Sequence, residues 1–298
     1  KDFICIHGII EFSNYCKNDC AYCGLRAQNN TLERYRMSVA EIIETAVQAV
    51  EKKGYKLFVL QSGEDPFYTD EMLLEIITGI KKRAKAFIFM SAGERSKEAY
   101  KKMKEAGASG VLFRFETSNS KLFKKFHKRG KNLQNRLELL TYLKSIGYFI
   151  ATGSIVGFPG QTIEDIADDV LLIKKLAHMA SFGPFIPGAN TPLHDQPVGD
   201  VQLILKMIAV IRLIMKTGRI PVVTALETLA GKDIRKQALT AGANSLMFNL
   251  TPAKYRSLYK IYPNKFHEKE NIWEKYGLFK AEESYQMLEE RMMKEIER

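Results

Sequence analysis

Three of the four cysteines in this 298-residue chain lie within one short segment. They are Cys16, Cys20 and Cys23, in the sequence CKNDCAYC, with the spacing C-x3-C-x2-C. Thiolates ligate iron–sulfur clusters, and four of them normally saturate a [4Fe–4S] cluster. Three thiolates in one loop leave one iron without a protein ligand, and an open metal position is where a bound molecule can react. The segment therefore predicts one [4Fe–4S] cluster with a free coordination position.

Two other interpretations of the three cysteines stay open at this stage. Zinc could be bound by Cys3His, with His7 or His127 as the fourth ligand, although zinc sites usually show two ligand pairs. The cysteines could also be structural core thiols. Their crowding argues against a disulfide framework and favours a reducing compartment. Cys5 stands among apolar residues of the first predicted strand, so we expect it to be a buried core thiol.

The elements that must position the cysteines alternate between strands and helices. Segments rich in β-branched and aromatic residues predict eight strands, at residues 3–13, 56–62, 86–92, 110–117, 148–156, 179–186, 220–225 and 244–250. Between them lie amphipathic stretches, two of which begin with the residue pair of a capping box: Ser38 with Glu41, and Thr162 with Asp165.

Eight strand–helix units in one run favour a parallel (β/α)8 TIM-type barrel. We expect the barrel to occupy residues 1–265, and a C-terminal helical extension, packed outside it, to occupy residues 266–298. Polar residues cluster just after three predicted strands, at residues 61–65, 91–94 and 114–117. In a barrel these positions converge on one face, where active sites lie.

Charge and hydropathy limit the classes of partner. Lys and Arg number 45 against 34 Asp and Glu, so the formal net charge is +11. Most lysines stand beside acids on predicted helices, as on a solvated face, and no aromatic platform for bases accompanies them. No apolar run approaches the ~18 residues of a membrane span, and we find no secretory leader pattern. We expect a cytoplasmic enzyme with no nucleic-acid or membrane partner.

Several segments beyond the cysteine loop resemble the [FeFe]-hydrogenase maturase family HydE, a branch of the radical S-adenosylmethionine (SAM) enzymes. The cysteine spacing, with Tyr22 before the last cysteine, is the radical SAM pattern. The other matching segments are residues 9–14 (IIEFSN), 23–26 (CGLR), 34–36 (RYR), 60–66 (LQSGEDP), 114–117 (RFET), 153–162 (GSIVGFPGQT), 183–187 (GPFIP) and 251–259 (TPAKYRSLY). The resemblance covers residues 3–265.

This resemblance implies that the open iron binds the amino and carboxylate groups of SAM. Reductive cleavage of SAM then gives methionine and a 5′-deoxyadenosyl radical. The implied cofactor residues are Tyr22 near the adenine, Ser62 and Glu64 near the methionine part, Glu116 near the ribose or sulfonium, and Arg136 at the carboxylate. Four of them have a simpler alternative: core packing for Tyr22, an N-cap or surface turn for Glu64, a salt bridge to Arg114 for Glu116, and a solvated helix position for Arg136.

The resemblance also implies a substrate and partners. HydE proteins act on a cysteine-bound iron carbonyl cyanide complex supplied by a sister maturase, in assembly of the hydrogenase H-cluster. A ferredoxin or flavodoxin is the expected electron donor. The expected substrate residues, which combine polar donors with an apolar chamber, are Gln61, Arg114, Thr224, Met247 and Tyr259. Met247 could instead be a core residue, and Thr224 only a turn residue.

Two residues depart from the family pattern. Phe115 stands where the family has His, and Glu227 is an acid that would be unfavourable near an anionic substrate unless paired or neutral. No cysteine follows Cys23, so one cluster is expected. A radical SAM enzyme acting on an amino acid, as methylornithine synthase does, is the second functional hypothesis. A non-enzymatic iron–sulfur or zinc protein is the third.

Overall fold

The computed structural model describes residues 4–129, 132–231, 233–266 and 285–297. Its strands are β1 (Cys5–Ser13), β2 (Leu57–Ser62), β3 (Phe87–Ser91), β4 (Gly110–Leu112), β5 (Phe149–Thr152), β6 (Ile155–Val156), β7 (Met179–Ala180), β8 (Gly183–Pro184), β9 (Pro221–Val222) and β10 (Ser245–Asn249). All except β6 and β8 form one parallel sheet, in the order β7-β5-β4-β3-β2-β1-β10-β9. A parallel bridge between Met179 and Arg219 joins its two edges, so the sheet closes into the predicted (β/α)8 barrel.

Helices surround this barrel. They are α1 (Val39–Lys53), α2 (Asp70–Arg83), α3 (Lys97–Glu105), α4 (Ser120–Phe126), α5 (Leu133–Ser145), α6 (Ile163–Leu176), α7 (Val201–Ile214), α8 (Thr224–Ala230), α9 (Ile234–Thr240), α10 (Ala253–Arg256) and α11 (Tyr285–Ile296). Both predicted capping boxes are confirmed, Ser38 with Glu41 at α1 and Thr162 with Asp165 at α6. Each box satisfies two backbone N–H groups that the first helical turn leaves without a partner.

The sheet is buried on both faces, as the apolar strand sequences require. On β1 the side chains alternate: Ile9 belongs to the core inside the barrel, and Ile10 belongs to the core between the sheet and the helices. Glu11 follows the same alternation and lines the barrel cavity. A parallel barrel therefore brings polar residues at strand ends to one place.

Two predicted strands are each divided in the structure. Residues 148–156 form β5 and β6, residues 179–186 form β7 and β8, and β6 pairs with β8 outside the main sheet. The division falls where Gly153 lies against the backbone of Ser181. A Cβ atom on Gly153 would stand 2.2 Å from the Ser181 carbonyl oxygen, so only glycine permits this approach.

Two predicted strand ends are wrong. The expected strand at 220–225 ends at Val222, because residues 224–230 form α8 from good helix formers such as Ala225 and Leu226. The expected strand at 110–117 ends at Leu112. Beyond it, Glu116 makes an isolated bridge to Ser154.

The C-terminal helix α11 packs across the end of the barrel where the strands begin. Leu288 and Met292 are buried in the same cluster as Leu57 and Phe87, the first residues of β2 and β3. The apolar face of α11 therefore covers the end of the barrel at which β2 and β3 begin. The predicted boundary at residue 266 borders residues 267–284, which lie outside the described residues, and stays a prediction.

Candidate active site

The cysteine loop leaves β1 at its carboxyl end and is held by one arginine. The Arg34 guanidinium donates to the carbonyl oxygens of Leu25 at 3.0 Å, Arg26 at 2.8 Å and Asn29 at 3.2 Å. One planar group with five N–H donors can satisfy several carbonyls that no secondary structure pairs. Arg34 therefore fixes the segment that follows Cys23.

The end of β2 approaches the cysteine loop at Gly63. A Cβ atom at this residue would lie 2.1 Å from the Tyr15 carbonyl oxygen and 2.8 Å from Cys16 Cβ. The close approach lets the backbone N–H of Glu64 point at Cys16 Sγ, at 3.4 Å. Glycine is thus required between Ser62 and Glu64 for the two segments to meet.

The three cysteines fit the ligand set of an iron–sulfur cluster. All three are free thiols, and all three line one cavity. Burial raises the pKa of the Cys23 thiol to about 12 and that of Cys20 well above its usual value. Without metal these thiols are protonated, whereas a coordinated thiol loses its proton. The Glu64 N–H beside Cys16 is a donor to a bound thiolate.

Neither histidine named for the zinc alternative is placed as a fourth ligand. His7 lies within the strands and shares a hydrogen bond of 3.0 Å with the Ser245 hydroxyl. His127 borders the cavity, but its two ring nitrogens are 2.9 Å from the Tyr22 hydroxyl and 2.9 Å from the Phe123 carbonyl oxygen. Among the described residues, no three His, Cys, Asp or Glu side chains converge as ligands of a single ion.

The thirteen predicted site residues all line the same cavity, which has a volume of about 310 Å³. They arrive from the cysteine loop, the ends of β2 and β10, the segments after β4 and β9, α5, and the segment after α10. They are Cys16, Cys20, Cys23, Tyr22, Ser62, Glu64, Glu116, Arg136, Gln61, Arg114, Thr224, Met247 and Tyr259. The structure brings them together, and their individual roles stay predictions.

Glu64 and Arg136 are both buried and both paired. Glu64 binds the Lys17 ammonium at 3.0 Å and accepts from the Asn18 amide at 2.8 Å. Arg136 donates to Glu94 at 2.7 and 3.1 Å. The solvated position that was the simpler alternative for Arg136 is therefore not what the structure shows. Glu64 does lie in a bend after β2, but its carboxylate is buried and paired.

Glu116 forms the salt bridge to Arg114 that was its simpler alternative. Its carboxylate accepts from Arg114 Nε at 3.0 Å and from Nη2 at 2.6 Å. Its φ of 71° is unusual for a residue other than glycine. Backbone strain of this kind persists where neighbours hold it, here through hydrogen bonds to Gly153 and Ile155.

The Tyr22 ring packs against another aromatic ring, and its hydroxyl and carbonyl oxygen both take part in hydrogen bonds. Its ring lies edge-on to Phe158, with 5.2 Å between centroids, and its carbonyl oxygen accepts from Gly188 at 2.7 Å. Its hydroxyl meets His127, as described above. The Tyr22 carbonyl oxygen therefore already has a protein partner, and the expected place of Tyr22 near the adenine stays a prediction.

The predicted substrate residues form a mixed wall. The Gln61 amide donates to the Tyr259 hydroxyl at 3.2 Å, and Tyr259 is buried. Thr224 begins α8, and Met247 is half-buried against the apolar core inside the barrel. The wall thus combines hydroxyl, amide and guanidinium donors with apolar surface.

The sequence analysis did not identify Glu11 and Lys265 as residues of this cavity wall. Glu11 is 1% exposed and forms an ion pair with Lys265, while its other oxygen accepts from Asn249 at 2.8 Å. The Lys265 ammonium also lies 4.7 Å from the Tyr259 ring centroid. The period-two alternation of β1 places Glu11 inside the barrel, but no local signal identifies Lys265 as its partner.

The two residues that depart from the family pattern do not line the cavity. Phe115 is fully buried among apolar residues between the sheet and the helices. Glu227 is buried and paired with Arg235, whose guanidinium lies 5.0 Å from the Phe248 ring centroid. The expected conflict between Glu227 and an anionic substrate is removed by this pairing.

A parallel barrel with three cysteines after its first strand defines the radical SAM class. The family described as the radical SAM superfamily matches residues 10–173 of this chain. HydE, the [FeFe] hydrogenase maturase subunit of Thermotoga maritima, is 46% identical over 267 residues, which are 89% of this chain and 75% of that protein. The chain therefore belongs to the radical SAM superfamily and, within it, to the family of HydE. It is an enzyme family that uses one [4Fe–4S] cluster and SAM.

Methylornithine synthases are also similar. The 3-methylornithine synthase of Methanosarcina acetivorans is 33% identical over 244 residues, covering 79% of this chain and 66% of that protein. The crystal structure of methylornithine synthase (PylB) has a TM-score of 0.85 at 24% identity, covering 97% of this chain and 86% of that one. At this identity, the likeness to the PylB structure shows the fold alone.

No helix in the described parts of this chain is long and apolar enough to cross a membrane.

Proposed function

We propose that this enzyme performs the HydE step of [FeFe]-hydrogenase maturation. When bound, the cluster and SAM supply a 5′-deoxyadenosyl radical. The proposed substrate, on which this radical acts, is a cysteine-bound iron carbonyl cyanide complex. The proposal includes a sister maturase that delivers the complex, and the cytoplasm as the reducing compartment.

One observation carries this proposal. Segments that match HydE motifs in sequence, from β2, β4 and the chain after β10, all contribute to one cavity beside the cysteines. Gln61, Thr224 and Tyr259 offer amide and hydroxyl donors to the cyanide and carboxylate groups of such a complex. Leu112 and Met247 offer apolar surface to its carbonyls.

The chain's own residues would bind and orient the substrate. Arg114 is one of the cations that line the cavity, and its salt bridge with Glu116 sets the direction of its guanidinium. The side chain of Glu116 is 15% exposed and that of Arg114 23%, so the pair is largely withdrawn from water. A charge held in this way needs little rearrangement when an anion arrives.

The test measures 5′-deoxyadenosine formation with different additions. Reduced enzyme receives SAM with a synthetic cysteine-bound iron carbonyl cyanide complex, with free cysteine, or with lysine. We expect that, of the three additions, only the complex increases 5′-deoxyadenosine formation. The increase should be smaller in Arg114→Gln. Arg83→Gln, which alters an exposed arginine on α2, is the matched control.

A second candidate function is an amino-acid rearrangement of the methylornithine-synthase type. The buried Glu11–Lys265 pair favours it, because a carboxylate and an ammonium in one cavity wall could meet an amino acid. Lysine-dependent 5′-deoxyadenosine formation, with a new amino-acid product in the mass spectrum, would select this function instead.

A further inference from the structure

A basic surface borders the cysteine loop on one side. Between residues 117 and 137 the sequence contains no Asp or Glu. The exposed basic residues of α4 and the turn after it, which we call the α4 basic surface, are Lys121, Lys124, Lys125, Lys128 and Arg129. Acid-free stretches occur elsewhere in the chain, as at residues 76–93, but the α4 basic surface places five exposed basic residues within positions 121–129, beside the cysteine loop.

This surface is fixed directly to the cysteine loop. The backbone N–H of Ala21, between Cys20 and Cys23, donates to the Phe126 carbonyl oxygen at 2.9 Å. The Arg129 guanidinium donates to the Lys17 carbonyl oxygen, next to Cys16. The basic residues and the cluster ligands are therefore neighbours in one hydrogen-bonded unit.

The charges of the α4 basic surface point outward. In the described parts of the chain, Lys121, Lys124, Lys125 and Lys128 form no ion pair with a carboxylate, whereas the cavity charges Arg114 and Lys265 are paired. Exposed charges of one sign create a field that steers oppositely charged partners. An acidic partner would therefore be guided to the place where the cluster ligands approach the surface.

We propose that the α4 basic surface docks an acidic one-electron carrier protein that reduces the cluster. The carrier loses one electron and the cluster gains it. The electron must come from outside the enzyme, because each reductive cleavage of SAM consumes one electron and an iron–sulfur cluster is not a net source of electrons. Electron-transfer encounters are small and weak, and electrostatic complementarity gives them speed more than affinity. This inference rests on the cluster and not on the identity of the substrate.

The apolar residues of α4 favour this partner over a membrane. Leu122, Phe123 and Phe126 are all buried, so the helix offers a bilayer charge without an apolar face to insert. Nor does an exposed aromatic on α4 offer a stacking platform for bases. What remains is a compact charged surface suited to a folded acidic protein.

The experiment compares two sets of four substitutions in the reconstituted enzyme. The test variant carries Lys121→Glu, Lys124→Glu, Lys125→Glu and Lys128→Glu. The control carries Lys52→Glu, Lys53→Glu, Lys85→Glu and Lys101→Glu, which change the net charge equally at exposed positions elsewhere. Affinity for a purified flavodoxin and a purified ferredoxin is measured by calorimetry at low and high salt. The rate of cluster bleaching by each reduced carrier is measured by stopped flow.

We expect the test variant to bind at least one carrier about tenfold more weakly at low salt, and to be reduced about tenfold more slowly by it, with the difference shrinking at high salt. Reduction by saturating dithionite should be unchanged. A milder variant, Lys124→Gln with Lys125→Gln, should show an intermediate loss even if the fourfold variant fails to fold. Equal effects in the test and control variants would overturn the proposal. So would unchanged carrier kinetics combined with lost binding to duplex DNA or anionic vesicles.

Discussion

Glu11 and Lys265 are separated by 254 positions in the sequence and form an ion pair in the cavity wall. The Glu11 side chain is 2% exposed and the Lys265 side chain 8%. Removing one partner of a buried pair leaves an uncompensated charge, whereas removing both can cost little. The pair therefore makes the last segment before residue 267 part of the cavity.

This pairing predicts strong coupling between the two residues. Lys265→Met should lower the free energy of unfolding by roughly 3 kcal/mol, and the double variant with Glu11→Gln should recover most of that loss. Urea-induced unfolding measures both. Lys254→Met is the control, since Lys254 pairs with Glu41 at the surface and should cost under ~1 kcal/mol. Equal costs for the two lysine substitutions would contradict the coupling.

The cysteines should divide into two classes. Cys16→Ala, Cys20→Ala and Cys23→Ala should each abolish the [4Fe–4S] signal after anaerobic reconstitution, because two thiolates cannot anchor the cluster. Cys5→Ala should retain it, since Cys5 is buried in the barrel and contacts Arg219. Iron analysis of the unaltered protein should give about four iron atoms per chain. A content matching two clusters would contradict the single site.

Arg136 should contribute to SAM affinity. Arg136→Ala should weaken SAM binding by roughly 1.5–3 kcal/mol, the usual contribution of a hydrogen bond to a charged group. Equilibrium dialysis with reconstituted enzyme measures the change. Arg95→Ala is the matched control, because Arg95 pairs with Asp70 and does not line the cavity. If both variants bind SAM like the unaltered enzyme, Arg136 is not a SAM ligand.

A buried histidine should make stability depend on pH. Burial, with a smaller effect of Lys144, lowers the pKa of His178 to about 4, and its Nδ1 accepts the Ile150 N–H at 2.8 Å. The unfolded chain binds a proton near pH 6.5 and the folded chain does not, so stability falls as pH drops below 6.5. His178→Asn keeps an acceptor and does not titrate.

Between pH 7 and pH 5.5 the unaltered enzyme should lose roughly 1.2 kcal/mol more stability than His178→Asn. Urea unfolding at the two pH values gives the difference. Parallel pH dependence in both proteins would mean that the pKa of His178 is the same in the folded and unfolded chains, and would contradict the lowered pKa.

The cysteine loop and strand ends could be predicted because short-range patterns specify them. The spacing of Cys16, Cys20 and Cys23 needs no tertiary information. Barrel topology then brings the carboxyl ends of distant strands to one face. For this reason, predicted residues as far apart as Gln61 and Tyr259 line one cavity and share a hydrogen bond.

The partners of the buried charges could not be predicted. Lys265 and Glu94 resemble solvated residues in the sequence, and only the closed barrel places them against Glu11 and Arg136. The division of the predicted strands at 148–156 and 179–186 could not be predicted for a related reason. Local propensity does not reveal that Gly153 lies against the backbone of Ser181.

We propose that this enzyme matures a hydrogenase through a radical generated at its cysteine cluster. The most direct measurement replaces native HydE with this enzyme in an in vitro maturation mixture that contains apo-hydrogenase and the sister maturases. Hydrogen evolution is then assayed, with Cys23→Ala as the inactive control. We expect active hydrogenase with the unaltered enzyme and none with the variant. An inactive hydrogenase, in a mixture where the unaltered enzyme still forms 5′-deoxyadenosine, would contradict it.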